Sequence, residues 1–224
     1  MARKPFVVTF SGVDGSGKSQ HIILLRRFLR RRGIPSLCLH SVGDSLTNKL
    51  AKKIPFGEKL VGWEKKTVSS QKGNMGKISL FSFVFRYLML ILDALYLRIG
   101  ITALGKNYPV IIFDRYVFDK LVHLYYLRRQ ENPNFSPFWI NLYPKANLSF
   151  YLRVLPEDAL ARKQEIIKEG QSLDYLSRKI NLFEKGRACW KLVTVDTSEL
   201  SISQGKKRII SIFKKRFLRF LRNK

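Results

Sequence analysis

Along the 224-residue chain, short runs of apolar and β-branched residues alternate with longer stretches in which apolar positions recur every three or four residues. Five runs have strand character: Phe6 to Ser11, Ser36 to His40, Val110 to Phe113, Leu148 to Val154, and Leu192 to Val195. Several are apolar at nearly every position, the pattern of strands covered on both faces of a parallel sheet. Between them lie helical stretches. Ser19 to Arg32 carries Ile22, Leu25 and Leu29 on one side and ends in arginines that complement the helix dipole. Ser79 to Leu104 is long and strongly apolar, Pro156 to Lys168 opens a helix, and Asp174 to Trp190 resumes helical character. This strand–helix–strand rhythm predicts an open, doubly wound α/β fold. No internal repeat or linker divides the chain, so residues 1–224 are expected to form one domain.

The apolar stretch 79–104 would pass a hydropathy test for a membrane span. Arg86, Asp93 and Arg98 interrupt it, however, and each charge is costly at the centre of a bilayer. A helix covering one face of a buried sheet explains the same composition. At 46% hydrophobic and 26% charged residues, the chain has material for a sizeable core and no sign of disorder. The two cysteines, Cys38 and Cys189, lack metal-ligand spacing, and two free thiols suit a reducing compartment. The apolar run Phe6 to Phe10 is too short for a signal peptide, and the expected location is the cytoplasm. Lysine and arginine number 42 against 16 acids, a balance of +26 that attracts nucleotide phosphates, nucleic acid or acidic lipid without choosing between them.

The first strand runs directly into Gly12-Val13-Asp14-Gly15-Ser16-Gly17-Lys18-Ser19-Gln20, and a helix follows. This is the G-x-x-x-x-G-K-[ST] phosphate loop in the strand–loop–helix context it requires. Glycines let backbone N–H groups curl around phosphate oxygens, and the helix N-terminus adds a favourable dipole. Lys18 would place a point charge on the β- and γ-phosphates of ATP, and the Ser19 hydroxyl would ligate Mg²⁺. Chance would produce the four fixed positions in such a chain about once in a hundred. A second acid is expected at the end of a neighbouring strand, and Asp114, after Val110 to Phe113, supplies it as the second magnesium residue. Next comes Arg115 rather than a water-activating glutamate, and no Asn-Lys-x-Asp guanine motif is present. An arginine beside the magnesium site suits a second phosphate, which argues for transfer rather than hydrolysis.

Three segments carry a resemblance: the loop 12–19, Asp114-Arg115-Tyr116, and Pro156-Glu157-x-Ala159-Leu160-x-Arg162. Together, over roughly residues 5 to 200, they resemble the thymidylate kinase family of P-loop nucleoside monophosphate kinases. The resemblance implies a five-stranded parallel sheet of order 2-3-1-4-5 with helices on both faces and a lid after strand four, about residues 160–175. It implies Mg-ATP as donor, bound by residues 12–20, and a small nucleotide as acceptor. Asp14, Arg86, Arg115 and Tyr116 would contact that acceptor. Lys18, Asp114, Arg115 and Arg162 would be catalytic, and Arg162, Lys163 and Lys168 would be lid cations, although an exposed basic helix face is another reading of those three. The implied reaction is transfer to a nucleoside monophosphate, dTMP to dTDP in the family. No general base is needed, because an acceptor phosphate is already a nucleophile.

The chain departs from the family on the acceptor side. His40-Ser41-Val42-Gly43-Asp44 stands where Arg-Glu-Pro-Gly-Gly is usual, and Phe118-Asp119-Lys120-Leu121-Val122-His123 stands where Ser-Ser-x-Ala-Tyr-Gln is usual. Arg86 either replaces the family's helix arginine or pairs with Asp93 two turns on. Residues 53–78, with Trp63, carry no motif. These departures keep a second reading open: a kinase-derived nucleotide-binding protein with a different acceptor or no turnover. Family members are often dimers through their long helices, and the apolar segment 79–104 fits a homodimer. The basic C-terminal segment, about 206–224, is either a terminal helix packed on the sheet with solvated charges or a surface for membrane lipid or nucleic acid.

Overall fold

The computed structural model describes residues 4–40, 80–130, 132–135, 137–162 and 173–223. The strands are β1 (Phe6–Ser11), β2 (Ser36–His40), β3 (Val110–Asp114), β4 (Leu148–Arg153) and β5 (Val193–Asp196). They form one five-stranded sheet, ordered β2-β3-β1-β4-β5. All pairings are parallel: Phe6 lies opposite Val110, Val8 opposite Leu148, Ser36 opposite Val110, and Phe150 opposite Val193. The order is the one implied by the family resemblance. β1, β3 and β4 are apolar at most positions because both faces are covered. Phe6, Val8 and Phe10 point to one side with Val110, Ile112, Phe150 and Leu152; Val7, Ile111, Phe113 and Tyr151 point to the other.

One face is covered by α1 (Lys18–Arg30) and α7 (Ile202–Arg222). On α1, Ile22, Leu25 and Leu29 are buried, the stripe expected from the sequence. On α7, the Ser201 hydroxyl accepts from the Gln204 amide while Gln204 Oε1 accepts from the Ser201 amide, a capping box that starts the helix. Its Ile209 and Phe213 are fully buried, and Phe6 meets Phe213, Phe217 and Phe220 edge to face at 5.6, 5.3 and 5.1 Å between centroids. The basic C-terminal segment is therefore a wall of the core with its cations turned outward, and the helix begins before residue 206.

The other face carries α2 (Leu80–Leu104), α3 (Val117–Leu127) and α6 (Leu173–Gly186), with the short α4 (Pro137–Leu142) and α5 (Pro156–Ala161). Two of these, α3 and α4, were not expected from the sequence. Nine of the eleven residues of α3 are buried, so no polar stripe marks it as a helix. On α2, Leu90, Ala94 and Ile101 pack inward with Asp93, which pairs with Lys120 of α3 at 2.5 Å. Arg98 donates to the carbonyls of Asn141 and Leu142 at 2.9 and 3.0 Å and so closes the end of α4. Another side of α2 is uncovered: among the described side chains Val84, Leu88, Leu92, Leu95, Tyr96 and Ile99 are exposed. The segment Tyr87–Leu104 is long and apolar enough to cross a membrane by length and composition. Both cysteines are free thiols.

Candidate active site

The phosphate loop leaves β1 at the middle of the sheet and enters α1 through three glycines with positive φ, 144° at Gly12, 84° at Gly15 and 78° at Gly17. No side chain caps the N-terminus of α1 and no acid sits in its first turn, so its amides remain available to an anion. Lys18 is 6% exposed and folds back over the loop, donating to the carbonyls of Gly12 at 2.9 Å and Val13 at 2.7 Å. Ser16 Oγ is 3.4 Å from the same ammonium. Burial pushes the Lys18 ammonium down to about 8, the charge of Arg115 adds to that, and Asp119, Asp14 and Asp114 oppose it. Val13 is buried beneath the loop, while Ser19 and Gln20 are exposed on the first turn of α1.

Asp114 ends β3 beside the loop. Its Oδ2 meets His40 Nδ1, at the end of β2, at 3.2 Å, and its Oδ1 is buried without a hydrogen-bond partner among the described residues. A buried carboxylate oxygen with no donor is costly, and a metal ion or its water would satisfy it. The donors therefore fit a hard cation: the Asp114 carboxylate and the Ser19 hydroxyl could hold magnesium.

Arg115 turns out of the strand with φ of 67°, a conformation that a non-glycine residue adopts rarely. Its amide donates to the Phe10 carbonyl at 2.8 Å, its guanidinium pairs with Asp14 of the loop, and Asp119 lies 4.0 Å away. Burial works against the charge of Arg115, but Asp14, Asp119 and Asp114 more than restore it and hold the pKa above its usual value. The backbone turn and the ion pair together hold one arginine against the phosphate loop, a sparsely populated geometry of the kind found at functional sites.

Sequence reasoning missed Asp119. It is buried, accepts from the Gly12 amide at 3.3 Å and the Tyr116 amide at 3.0 Å, and so ties the loop to the start of α3. It had been visible only as a departure from the family pattern. His40, beside Asp114, was likewise not foreseen as a site residue. Tyr116, expected on the acceptor, is instead part of the core. It is 2% exposed, its hydroxyl donates to the Pro144 carbonyl at 2.5 Å, and its ring packs among Phe113, Phe118 and Tyr143. Its apolar neighbours claim the ring, and burial raises its pKa.

Arg162 caps the end of α5. It donates to the Thr197 carbonyl at 2.7 Å, to Thr197 Oγ1 at 3.3 Å, and to the Gly15 carbonyl of the loop at 3.4 Å. The expected lid arginine is thus in contact with the loop. Lys163, Lys168 and most of the expected lid lie outside the described residues, as do residues 53–78 and the side chain of Arg86. Asp93, the alternative partner proposed for Arg86, has Lys120 against it.

A parallel sheet of this order, with a phosphate loop after its first strand and a carboxylate–arginine pair at the end of the neighbouring strand, defines a P-loop α/β protein of nucleotide-kinase type. No protein-family model matches the chain. It is 28% identical over 183 residues to the thymidylate kinase of Chlorobium phaeobacteroides, covering 77% of this chain and 74% of that protein. In structure it resembles the thymidylate kinase of Candida albicans, with a TM-score of 0.63 at 14% identity, over 95% of this chain and 92% of that one. The chain is thus similar in sequence and in fold to thymidylate kinases.

Proposed function

We propose that the chain transfers the γ-phosphoryl group of Mg-ATP to a nucleoside monophosphate, with dTMP as the first candidate on account of its relatives. The observation that carries the reading is the junction of Lys18, Asp14 and Arg115, which joins a donor-phosphate cradle to a cation on the acceptor side. An oxygen of the acceptor phosphate attacks the γ-phosphorus, the bond from that phosphorus to the β-bridging oxygen breaks, and ADP leaves with the electron pair. The acceptor is ionised before it arrives, so no residue has to remove a proton. Lys18 leaves the Gly12 and Val13 carbonyls for the phosphates, and its depressed pKa is raised by the anion it meets. Arg115 stays oriented by Asp14 and Asp119 while it binds the acceptor phosphate. Magnesium, held by Ser19 and Asp114, would supply charge neutralisation on the transferring group. Arg162, already on the Gly15 carbonyl, has to swing only from Thr197 to reach the same phosphates.

A second reading keeps the donor site and changes the acceptor. It is favoured by the core position of Tyr116 and by Phe118 and Asp119 in place of the family's two serines. A coupled ADP-release assay tests both, with Mg-ATP and dTMP, dUMP, the other nucleoside monophosphates and thymidine in turn. Turnover with dTMP that falls by about a thousandfold or more in Lys18→Ala is the expected result. Mg-ATP binding without turnover on any member of the panel would overturn the nucleotide acceptor.

A further inference from the structure

Two stretches of the chain carry cations and no acid: residues 19–43 hold five arginines, and residues 200–224 hold nine lysines and arginines. They account for more than half of the +26 charge, and folding lays them side by side as α1 and α7. A Cβ on Gly205 would meet His21 Nε2 at 2.8 Å, and Phe28 meets Phe213 at 6.4 Å between centroids, so the two helices run in the same direction. Arg32, just past α1, and Lys214 of α7 lie 4.9 and 5.4 Å from the centroid of the same Phe28 ring. The five arginines and seven of the eight cations of α7 are exposed. No other part of the sequence between these stretches and the lid offsets the charge by composition: residues 41–79 hold eight lysines and three acids, and residues 163–172 two of each.

Large aliphatic side chains are exposed among these cations: Ile23 at 47%, Leu218 at 56% and Leu221 at 50%. On α7, Lys207, Ser211, Lys214, Leu218, Leu221 and Arg222 recur three or four positions apart and so share one side. On α1, Ile23, Arg26, Arg27 and Arg30 line a groove of about 550 Å³ whose other wall is the turn 33–36. Guanidinium groups suit a phosphodiester, and aliphatic side chains beside cations suit the boundary between lipid headgroups and acyl chains. Nucleic acid would meet the charge equally, but it offers nothing to exposed aliphatic residues, and single strands are held by stacking on aromatic rings. We propose that the face built by α1 and α7 docks on an anionic phospholipid surface. The arginines of the groove take lipid phosphate, while Ile23, Leu218 and Leu221 enter the headgroup boundary. The phosphate loop enters α1 at its N-terminus, whereas Arg30, Arg31, Arg32, Leu218 and Leu221 lie at the far ends of the two helices. Phe6, at the start of β1, packs on Phe213, Phe217 and Phe220, which fixes that end of α7 at the edge of the sheet opposite the loop. Docking therefore uses no part of the active site and leaves the donor site turned away from the lipid.

Cosedimentation of the full chain with vesicles tests the docking, comparing about three parts phosphatidylcholine to one part phosphatidylserine with phosphatidylcholine alone. The parent is expected to pellet with the anionic vesicles only, and to be released as salt rises from about 0.1 to 0.5 M. This salt release needs no substitution and so stands whatever a variant does to folding. Changing Arg27, Arg31, Lys207 and Arg222 together to glutamine should weaken vesicle binding about a hundredfold or more, at about fivefold for each cation. Leu218→Ser combined with Leu221→Ser keeps the charge and should weaken it about tenfold, while leaving the binding of duplex DNA as in the parent. Both variants should melt with the parent, since every substituted side chain is exposed. The proposal is overturned if the parent does not pellet with anionic vesicles, if it pellets equally with neutral ones, or if salt does not release it. It is also overturned if the two leucines can be replaced without loss on vesicles. That result, with tight binding of duplex DNA, would assign the face to nucleic acid.

Discussion

Gly15 shows how tightly the phosphate loop is built into its surroundings. Its φ is 84°, and a Cβ there would sit 2.4 Å from the Ala159 carbonyl oxygen and 3.0 Å from the Ala159 Cα, backbone atoms that cannot rotate away. The left-handed conformation alone costs an alanine about 1–2 kcal/mol. Gly33 has a similar φ of 66° with nothing within 4 Å, so it isolates that backbone cost. Gly15→Ala is accordingly expected to lower the melting temperature more than Gly33→Ala does. It should also remove the thermal shift that Mg-ATP gives the parent, because α5 and the loop can no longer close on each other. Equal shifts with Mg-ATP in the two variants would mean that the loop tolerates displacement from α5. At this scale the junction of the phosphate loop with the end of β3 was legible in the sequence, because Asp14 and Lys18, and Asp114 and Arg115, sit in two contiguous motifs. Asp119 and His40 were not, because each acquires its role from a partner distant in the chain. Asp119 reaches Gly12 across 107 residues and His40 reaches Asp114 across 74.

Among the elements, the three central strands were readable because burial on both faces leaves an apolar residue at almost every position, as in Val110–Asp114. The same completeness hid α3, since a helix enclosed between the sheet, α4 and α6 has no solvated stripe to give it a period. The helix α2 stands at the opposite limit. Its apolar residues are legible, but among those described Val84, Leu88, Leu92, Leu95, Tyr96 and Ile99 face outward in a row. A row that long on one helix side gains by pairing with its own symmetry mate, since a two-fold contact buries each residue twice. The parent is therefore expected to sediment as a dimer, well above the 26.1 kDa of one chain. Leu88→Glu combined with Ile99→Glu should return it to the monomer mass without lowering its melting temperature, as both side chains are at least half exposed. A parent at monomer mass across the accessible concentration range would defeat the dimer.

For the molecule as a whole, proton linkage turns these local environments into one measurable curve. Lys18 and Lys179 are held near 8 in the folded chain, chiefly by burial, whereas unfolded lysines titrate near about 10.4. Between those values the unfolded chain binds the extra protons, so stability rises with pH. The tyrosines act in the opposite sense at higher pH. Burial raises Tyr116, Tyr143, Tyr151 and Tyr175, and pushes Tyr125 up to about 12, against about 10 when unfolded. Their stabilising share is complete below pH 10 and is lost above it, as the unfolded chain ionises first. Self-repulsion from the +26 charge also eases as surface lysines lose protons, which reinforces the rise. Without nucleotide, urea unfolding at constant ionic strength should therefore show stability climbing from pH 8 to about 10 and falling beyond it. Lys179→Met should flatten part of the climb, because one of the two depressed ammonium groups is gone. Mg-ATP should flatten the other part, because an anion beside Lys18 raises its pKa toward the unfolded value. A profile that stays level from pH 8 to 10 in the nucleotide-free parent would mean that neither ammonium is desolvated.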